Sequence, residues 1–125
     1  MRKLFTVLSL VSVSMLHALE WKSYDAAVAE AMQEGKIIMI DAVRTGCHYC
    51  DDMQAEVFYD PEASAWIEER FIPVKVNISE EEMPLGITVG MTPTFYFIDP
   101  MGTIIKRIPG AWHWNDFKSM LEGIK

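Results

Sequence analysis

The chain has 125 residues, with 18 acidic side chains, 11 lysines and arginines, and only two cysteines. A formal net charge of −7 disfavours binding to nucleic acid or to anionic lipid, because both ligands are themselves negatively charged. The sequence contains no internal repeat, low-complexity tract or linker, and its length suits one compact domain.

The amino-terminal residues have the layout of a secretory signal peptide. A basic start at Arg2 precedes an uncharged, mostly apolar run over residues 4–16, and Ala18 offers a small residue for cleavage. Cleavage after Ser14 is an alternative. An uncleaved membrane anchor is the weaker interpretation, because a spanning helix needs about 20 apolar residues.

We therefore predict a signal peptide at residues 1–18 and a folded domain at residues 19–125. Such a protein is exported, here to the periplasm, an oxidising compartment in which disulfides persist. A domain stabilised by disulfides usually carries several pairs, so a single pair with short spacing favours a catalytic use.

Helical and strand patterns alternate along the predicted domain. Ser23 and Asp60 are suitable N-caps, and Gly35 is a suitable helix end. We predict helices at 24–34, from about Cys47 to Phe58, from Pro61 onward, and from Asn115 or Asp116 to about Ile124. The third helix has Ala65, Trp66 and Ile67 on its apolar side. We predict strands at 36–43, 71–78, 94–98 and 103–108, with a short element between 80 and 89. This order predicts an α/β fold in which a central mixed β-sheet is flanked by helices on both faces.

The two cysteines form the motif Cys47-His48-Tyr49-Cys50, directly after a strand of buried character and at the start of a helix. Positions i and i+3 of a helix share a face, so the two sulfurs can form a disulfide of ordinary geometry. Unpaired N–H groups and the helix dipole favour a thiolate at the first cysteine. The motif predicts dithiol–disulfide exchange, with Cys47 as the exposed nucleophile and Cys50, one turn deeper, as the resolving thiol.

Other uses of this cysteine pair have less support. A structural disulfide that closes so short a loop adds little stability. Structural zinc needs about four ligands, and the predicted domain adds only His48 and His113. Covalent haem needs a histidine where Asp51 stands. A Cu(I) metallochaperone or thiol-bearing binding protein that uses both cysteines remains the alternative function. We expect no metal in the exchange reaction and no cofactor beyond the redox-active disulfide itself.

Four features together resemble the thioredoxin superfamily over nearly all of residues 21–125. The first is the strand–CxxC–helix unit, and the second is Met91-Thr92-Pro93-Thr94, which looks like the family's cis-proline loop. The third is Asp41, six residues before the first cysteine, where thioredoxins place a buried aspartate. The fourth is the segment from Lys75 to Ile78, which resembles the strand whose lysine neighbours that aspartate.

The segments at residues 52–62 and 71–76 look like those of exported thioredoxin-related proteins. They are also similar to the carboxy-terminal domain of the transmembrane thiol reductase that feeds electrons to the periplasm. The resemblance implies that Met91, Thr92 and Pro93 bind an extended substrate as an added strand.

Other residues of the site are assigned roles from their chemistry. An acid inside the sheet is costly to bury without a function, so Asp41 is predicted to accept the proton of Cys50 and to interact with Lys75. The imidazolium of His48 would stabilise a Cys47 thiolate and make the pair more oxidising. Tyr49 offers a flat contact for a partner chain.

The sequence departs from thioredoxins beside the motif. Gly46 and Val43 stand where that family has tryptophans, and His-Tyr replaces Gly-Pro between the cysteines. We expect an exported, monomeric thiol–disulfide oxidoreductase that acts as a reductase on protein thiols and disulfides. A membrane thiol reductase is the expected electron donor.

Overall fold

The computed structural model describes residues 17–125, so the apolar run predicted at residues 4–16 lies outside the described part of the chain. The helices are α1 (Tyr24–Glu34), α2 (His48–Met53), α3 (Pro61–Arg70) and α4 (Trp114–Glu122), and the strands are β1 (Ile37–Val43), β2 (Phe71–Asn77), β3 (Thr94–Ile98) and β4 (Ile104–Pro109). A π-helical segment (Gln54–Phe58) continues α2, and a 3-10 turn (Pro84–Gly86) lies between β2 and β3. No helix among residues 17–125 has the length and apolar character needed to cross a bilayer.

The four strands form one sheet in the order β2-β1-β3-β4. Strand β1 pairs in parallel with β2 and antiparallel with β3, and β3 pairs antiparallel with β4. The mixed sheet with helices on both faces is therefore confirmed. Because β1 is central, its residues are covered on both faces and are shielded at both edges by neighbouring strands.

Each face of the sheet carries its own apolar core. Successive residues of a strand point to opposite faces. Accordingly, Met39 of β1 belongs to the core formed with α2, α3 and α4, whereas Ile38 and Ile40 belong to the core formed with α1. By the same alternation, Asp41 lies on the face that also carries Met39. The sheet therefore presents a carboxyl group toward the helix that contains the second cysteine.

Two of the predicted helices begin where their capping residues place them. Ser23 Oγ accepts a hydrogen bond from the backbone N–H of Ala26 at the start of α1, and Gly35 ends that helix in the left-handed region at φ 67°. At α3, Asp60 Oδ2 accepts from the N–H of Ala63 at 2.8 Å. These caps are short-range interactions, which explains why the sequence pattern located them.

The predicted apolar side of α3 is wrong at one position. Ala65 is exposed, whereas Ala63, Ser64 and Ile67 form the buried side. The polar residue Ser64 is tolerated there because its Oγ donates a hydrogen bond of 2.8 Å to the carbonyl oxygen of Phe58. Burial of a hydroxyl is inexpensive when it is paired in this way.

The helix predicted from Cys47 to Phe58 changes type on the way. Cys47 is the N-cap of α2, and from Gln54 onward the segment is π-helical, with Tyr59 N–H bonded to Gln54 C=O at 2.9 Å. The wider π turn brings Phe58 onto the same face as Met53. Both side chains are consequently buried, and periodicity at 3.6 residues per turn does not predict this pair.

Phe58 is the centre of the core beneath the cysteine motif. Its ring makes edge-to-face contacts with Trp21, Phe95 and Phe117 at centroid distances of 5.0, 5.9 and 6.4 Å. Its carbonyl also accepts from the N–H of Leu19, whose side chain is buried. The segment before α1 is thus part of the folded unit from Leu19 onward.

Candidate active site

The cysteine motif lies after the end of β1, at the start of α2. Cys47 and Cys50 form a disulfide, with their Cα atoms 5.2 Å apart. Cys47 caps α2, and its Sγ accepts a hydrogen bond of 3.2 Å from the backbone N–H of Cys50. Gly46 supplies the positive φ of 72° that turns the chain from the strand into the helix.

Solvent exposure of the two cysteines differs from the prediction. Cys47 was expected to be exposed and Cys50 to lie deeper, yet Cys47 is 2% exposed and Cys50 is 8% exposed. The expected exposure of Cys47 is therefore wrong for the disulfide form. One reason is the hydroxyl of Thr92, which covers the sulfur from the loop opposite, with Oγ1 at 3.4 Å from Sγ.

The loop opposite is the Met91-Thr92-Pro93 segment. The Thr92–Pro93 peptide bond is cis, and Pro93 C=O accepts from Gly110 N–H at 2.8 Å. Thr94 Oγ1 donates to the carbonyl of Met91 at 2.6 Å. The structure thus places Thr92 against the disulfide, with Pro93 buried and the side chain of Met91 52% exposed beside it. Their role in substrate binding stays a prediction.

Asp41 is buried in the middle of the sheet. It is 2% exposed, and its Oδ1 has no hydrogen-bond partner among the described residues. Burial raises the pKa of Asp41 from 3.8 to about 7, although the neighbouring Lys75 opposes this shift. A carboxyl group that titrates near neutral pH is suited to accept and return a proton.

Lys75 stands opposite Asp41 in the β1–β2 register, but its ammonium group has other contacts. Nζ donates to Gln54 Oε1 and lies 4.4 Å from the ring centroid of Trp21. Burial lowers the pKa of Lys75, and the charges of Asp41 and Asp51 oppose that shift. Lys75 therefore acts on the aspartate through its field, and the structure shows no close ion pair between them within residues 17–125.

An open cavity of about 500 Å³ lies beside the motif on the side of Cys50. Its lining includes Arg44, Asp51, Gln54 and Lys75 as well as Cys50. The cavity is open to solvent, and Cys50 and Lys75 both contribute to its lining. It therefore offers a solvent route for a proton at Cys50.

His48 and Tyr49 are both displayed at the surface. The His48 side chain is 82% exposed, and its Nε2 lies 3.3 Å from Asp52 Oδ2. Tyr49 is 64% exposed, and its ring meets that of His48 edge to face at 5.8 Å. The carboxylate of Asp52 competes with Cys47 for the field of a protonated imidazole, so the predicted tuning by His48 stays a prediction.

Arg44 belongs to the site although the sequence pattern did not predict it there. Its Nε donates a hydrogen bond of 3.0 Å to Oγ1 of Thr92, the same oxygen that lies against the disulfide. The only signal in the sequence was a basic residue three positions before Cys47 in an acidic chain. Within residues 17–125, no cluster of three or more histidine, cysteine or acidic side chains is arranged to hold a metal ion.

Known proteins share this fold and its domain signature. A family model described as the thioredoxin-like domain matches residues 24–125. A thioredoxin from Thermus thermophilus is 28% identical, with a TM-score of 0.71 over 86% of this chain and 87% of that chain. A protein described as DsbH oxidoreductase is 20% identical, with a TM-score of 0.66 over 84% and 83% of the two chains.

The C-terminal domain of Neisseria meningitidis DsbD in the oxidised form has the same fold. It is 17% identical, with a TM-score of 0.63 over 81% of this chain and 91% of that chain. Comparison with curated protein sequences gave no significant match.

Replacing Asp41 with asparagine tests whether this carboxyl titrates near neutral pH. Between pH 4 and pH 7 the folded form of the wild-type protein keeps the Asp41 proton, whereas the unfolded form, with its pKa near 3.8, loses it. Stability therefore falls as pH rises, by at most about 1.4 kcal/mol per pH unit and about 4 kcal/mol in all. Asp41→Asn should remove this slope and be the more stable protein at pH 7.

Urea unfolding at several pH values measures how the free energy of unfolding depends on pH. The disulfide is kept intact so that the cysteines do not titrate. Asp52→Asn, at a half-buried position on α2, is the matched control and should keep the wild-type slope. Equal pH slopes for the wild-type protein and Asp41→Asn would contradict the raised pKa.

Proposed function

The chain belongs to the thioredoxin-like domain family, and from this premise we propose an exported thiol–disulfide reductase of the periplasm, supplied with electrons by a membrane thiol reductase. Its activity as a thiol–disulfide oxidoreductase follows from the family and the Cys47–Cys50 disulfide. The observation that carries the proposal is the position of that disulfide, between the start of α2 and Thr92.

The reductase cycle begins with the dithiol form. The Cys47 thiolate attacks one sulfur of a partner disulfide, so that a mixed disulfide forms and the other partner sulfur leaves as a thiolate. Asp41 takes the proton of Cys50, and the Cys50 thiolate attacks Cys47 Sγ. The second partner thiol is released, the Cys47–Cys50 disulfide of the structure is formed, and the partner has gained two electrons.

The sulfur geometry supports Cys47 as the first nucleophile. In the disulfide its Sγ already accepts two hydrogen bonds, from the N–H of Cys50 at 3.2 Å and from the hydroxyl of Thr92 at 3.4 Å. Both donors would stabilise a negative charge on this atom once the disulfide is reduced. A stabilised thiolate is present at neutral pH and is the reacting species.

Export is supported by the basic and apolar amino terminus and by the place where the folded unit begins. Cleavage after Ala18 would leave Leu19, whose buried side chain belongs to the core around Phe58, as the first residue. Cleavage after Ser14 would keep the same unit. The proposed membrane donor is supported by the resemblance at residues 52–62 and by the fold shared with the C-terminal domain of DsbD.

Expression of full-length Cys50→Ser in a Gram-negative bacterium tests export and the order of attack together. Without the resolving thiol, the periplasmic extract should contain mixed disulfides between Cys47 and partner proteins that disappear on reduction. The matched variant Cys47→Ser should give few, because Cys50 is not the attacking thiol. Mass spectrometry of the reduced chain should show Leu19, or Met15, at its amino terminus.

Equal trapping by both variants would contradict the assignment of Cys47. A chain that is retained in the cytosol with its first 18 residues intact would contradict export, whichever cysteine reacts.

The reduction potential of the purified pair tests the direction of the reaction. Equilibration with glutathione buffers should give a value closer to the about −270 mV of a thioredoxin than to the about −120 mV of a strong dithiol oxidant. Reduction of insulin disulfides should then be catalytic when a dithiol is supplied. A potential near that of the oxidant would contradict the reductase proposal and leave thiol–disulfide exchange itself intact.

A further inference from the structure

Arg44 and Thr92 form a short chain of hydrogen bonds that ends on the first cysteine. Arg44 Nε donates to Thr92 Oγ1 at 3.0 Å, and the Thr92 hydroxyl donates to Cys47 Sγ at 3.4 Å. Arg44 lies in the loop after β1, and Thr92 lies in the loop before β3. The two loops meet because β1 and β3 are antiparallel, with Ala42 paired to Thr94.

The charge of Arg44 is not neutralised by a neighbouring acid. Within residues 17–125 no carboxylate lies within 4.0 Å of its guanidinium, in contrast to His48, whose Nε2 is 3.3 Å from Asp52 Oδ2. A guanidinium is charged at every pH relevant to a protein. Arg44 therefore has no close carboxylate in the described part of the chain that compensates its charge. Lys75 also has no close carboxylate there, but its ammonium group donates to Gln54 instead of Thr92.

The guanidinium of Arg44 acts on the Cys47 sulfur through the hydrogen bonds that connect them. Arg44 is exposed, so its direct field through water is screened, but Cys47 is buried and Thr92 is half-buried. A guanidinium bonded to the hydroxyl oxygen polarises the O–H group and strengthens the hydrogen bond that it donates. The hydroxyl therefore carries the influence of Arg44 to an atom that the solvent does not reach.

We propose that Arg44 is a positioning residue that acts through the Thr92 hydroxyl to stabilise the Cys47 thiolate and so favours the reduced form of the pair. A disulfide sulfur is a weak acceptor, whereas a thiolate is a charged one. The hydrogen bond from Thr92 therefore strengthens on reduction, and the proton of the Cys47 thiol is lost more readily. This inference rests on the exchange activity and is independent of export and of the direction of electron flow.

Three carboxyl groups and an imidazole also lie near the motif. Asp51 and Asp52 are in the first turns of α2, and Asp41 is in the adjoining strand. All three oppose a thiolate when they are ionised, and His48 favours one when it is protonated. Asp51 and Lys75 line the same open cavity as Arg44, so removal of the arginine leaves one acidic and one basic side chain beside Cys50.

A double-mutant cycle separates the proposed path from a simple charge effect. The four proteins are the wild type, Arg44→Gln, Thr92→Val and the double variant. The readouts are the equilibrium constant with glutathione and the pKa of Cys47 from the ultraviolet absorbance of its thiolate. Arg44→Gln should shift the equilibrium toward the disulfide by up to about tenfold, which is about 30 mV for two electrons. The Cys47 pKa should rise by up to about one unit.

The two substitutions should be strongly non-additive. In the Thr92→Val background, Arg44→Gln should change the equilibrium by less than about twofold, because the hydroxyl that transmits the effect is already absent. Thr92→Ser retains the hydroxyl and should give the wild-type equilibrium constant and Cys47 pKa. Arg107→Gln removes the same charge from the exposed face of β4 and should leave both readouts unchanged.

Urea unfolding of the oxidised variants confirms that each is folded, and Thr92→Ala, which also lacks the hydroxyl, replaces Thr92→Val if the valine variant does not fold. An equal shift by Arg44→Gln with and without the Thr92 hydroxyl would overturn the proposed path. Wild-type values for Arg44→Gln would overturn any role of Arg44 in the redox equilibrium.

Discussion

The burial of one carboxyl group in the centre of the β-sheet is the constraint on which the proposed chemistry of this protein depends. Asp41 belongs to the central strand, is enclosed by strands on both sides, and has an oxygen without a hydrogen-bond partner among the described residues. Ionisation there is costly, so the group titrates near neutrality instead of near pH 4. Lys75 limits that cost from the adjacent strand, while Gln54 and Trp21 hold its ammonium group. The interior therefore contains a carboxyl group suited to the proton-accepting role proposed for it, and the rest of the core must offset the cost of its burial.

The topology of the sheet explains why the other parts of the site meet. Strand β1 ends beside the start of β3, so the loop that leads to Cys47 faces the loop that holds Thr92 and Pro93. The bond from Gly110 N–H to the carbonyl of Pro93 ties the second loop to the end of β4. Hydrogen bonds from Arg44 to Thr92 and from Thr92 to Cys47 then connect the two loops. The same contacts cover Cys47 in the disulfide form, so a partner must displace or replace the Thr92 hydroxyl to reach the sulfur.

Features set by neighbours in the sequence were predictable, and features set by distant contacts were not. Capping side chains and glycine located the ends of α1 and the start of α3, and the cysteine spacing with Asp41 and Thr92-Pro93 indicated the fold and the exchange chemistry. The exposed position of Ala65 and the π-helical turn before Phe58 depend on packing against the sheet. The cover over Cys47, the contact of Lys75 with Gln54 and the role inferred for Arg44 arise only when loops from different strands come together. None of these has a periodicity or a spacing that a single sequence reveals.

The ionisation of Asp41 is the decisive test of the proposed proton transfer with Cys50. The carboxyl carbon of this residue can be followed by nuclear magnetic resonance as pH is varied, in the oxidised protein labelled with carbon-13 at its aspartates, and assigned by comparison with Asp41→Asn. We predict that Asp41 has a pKa of about 7, well above the 3.8 of an unperturbed aspartate. Titration of Asp41 near pH 4 would contradict this prediction, because a carboxylate of such low pKa is too weak a base to hold a proton taken from a thiol.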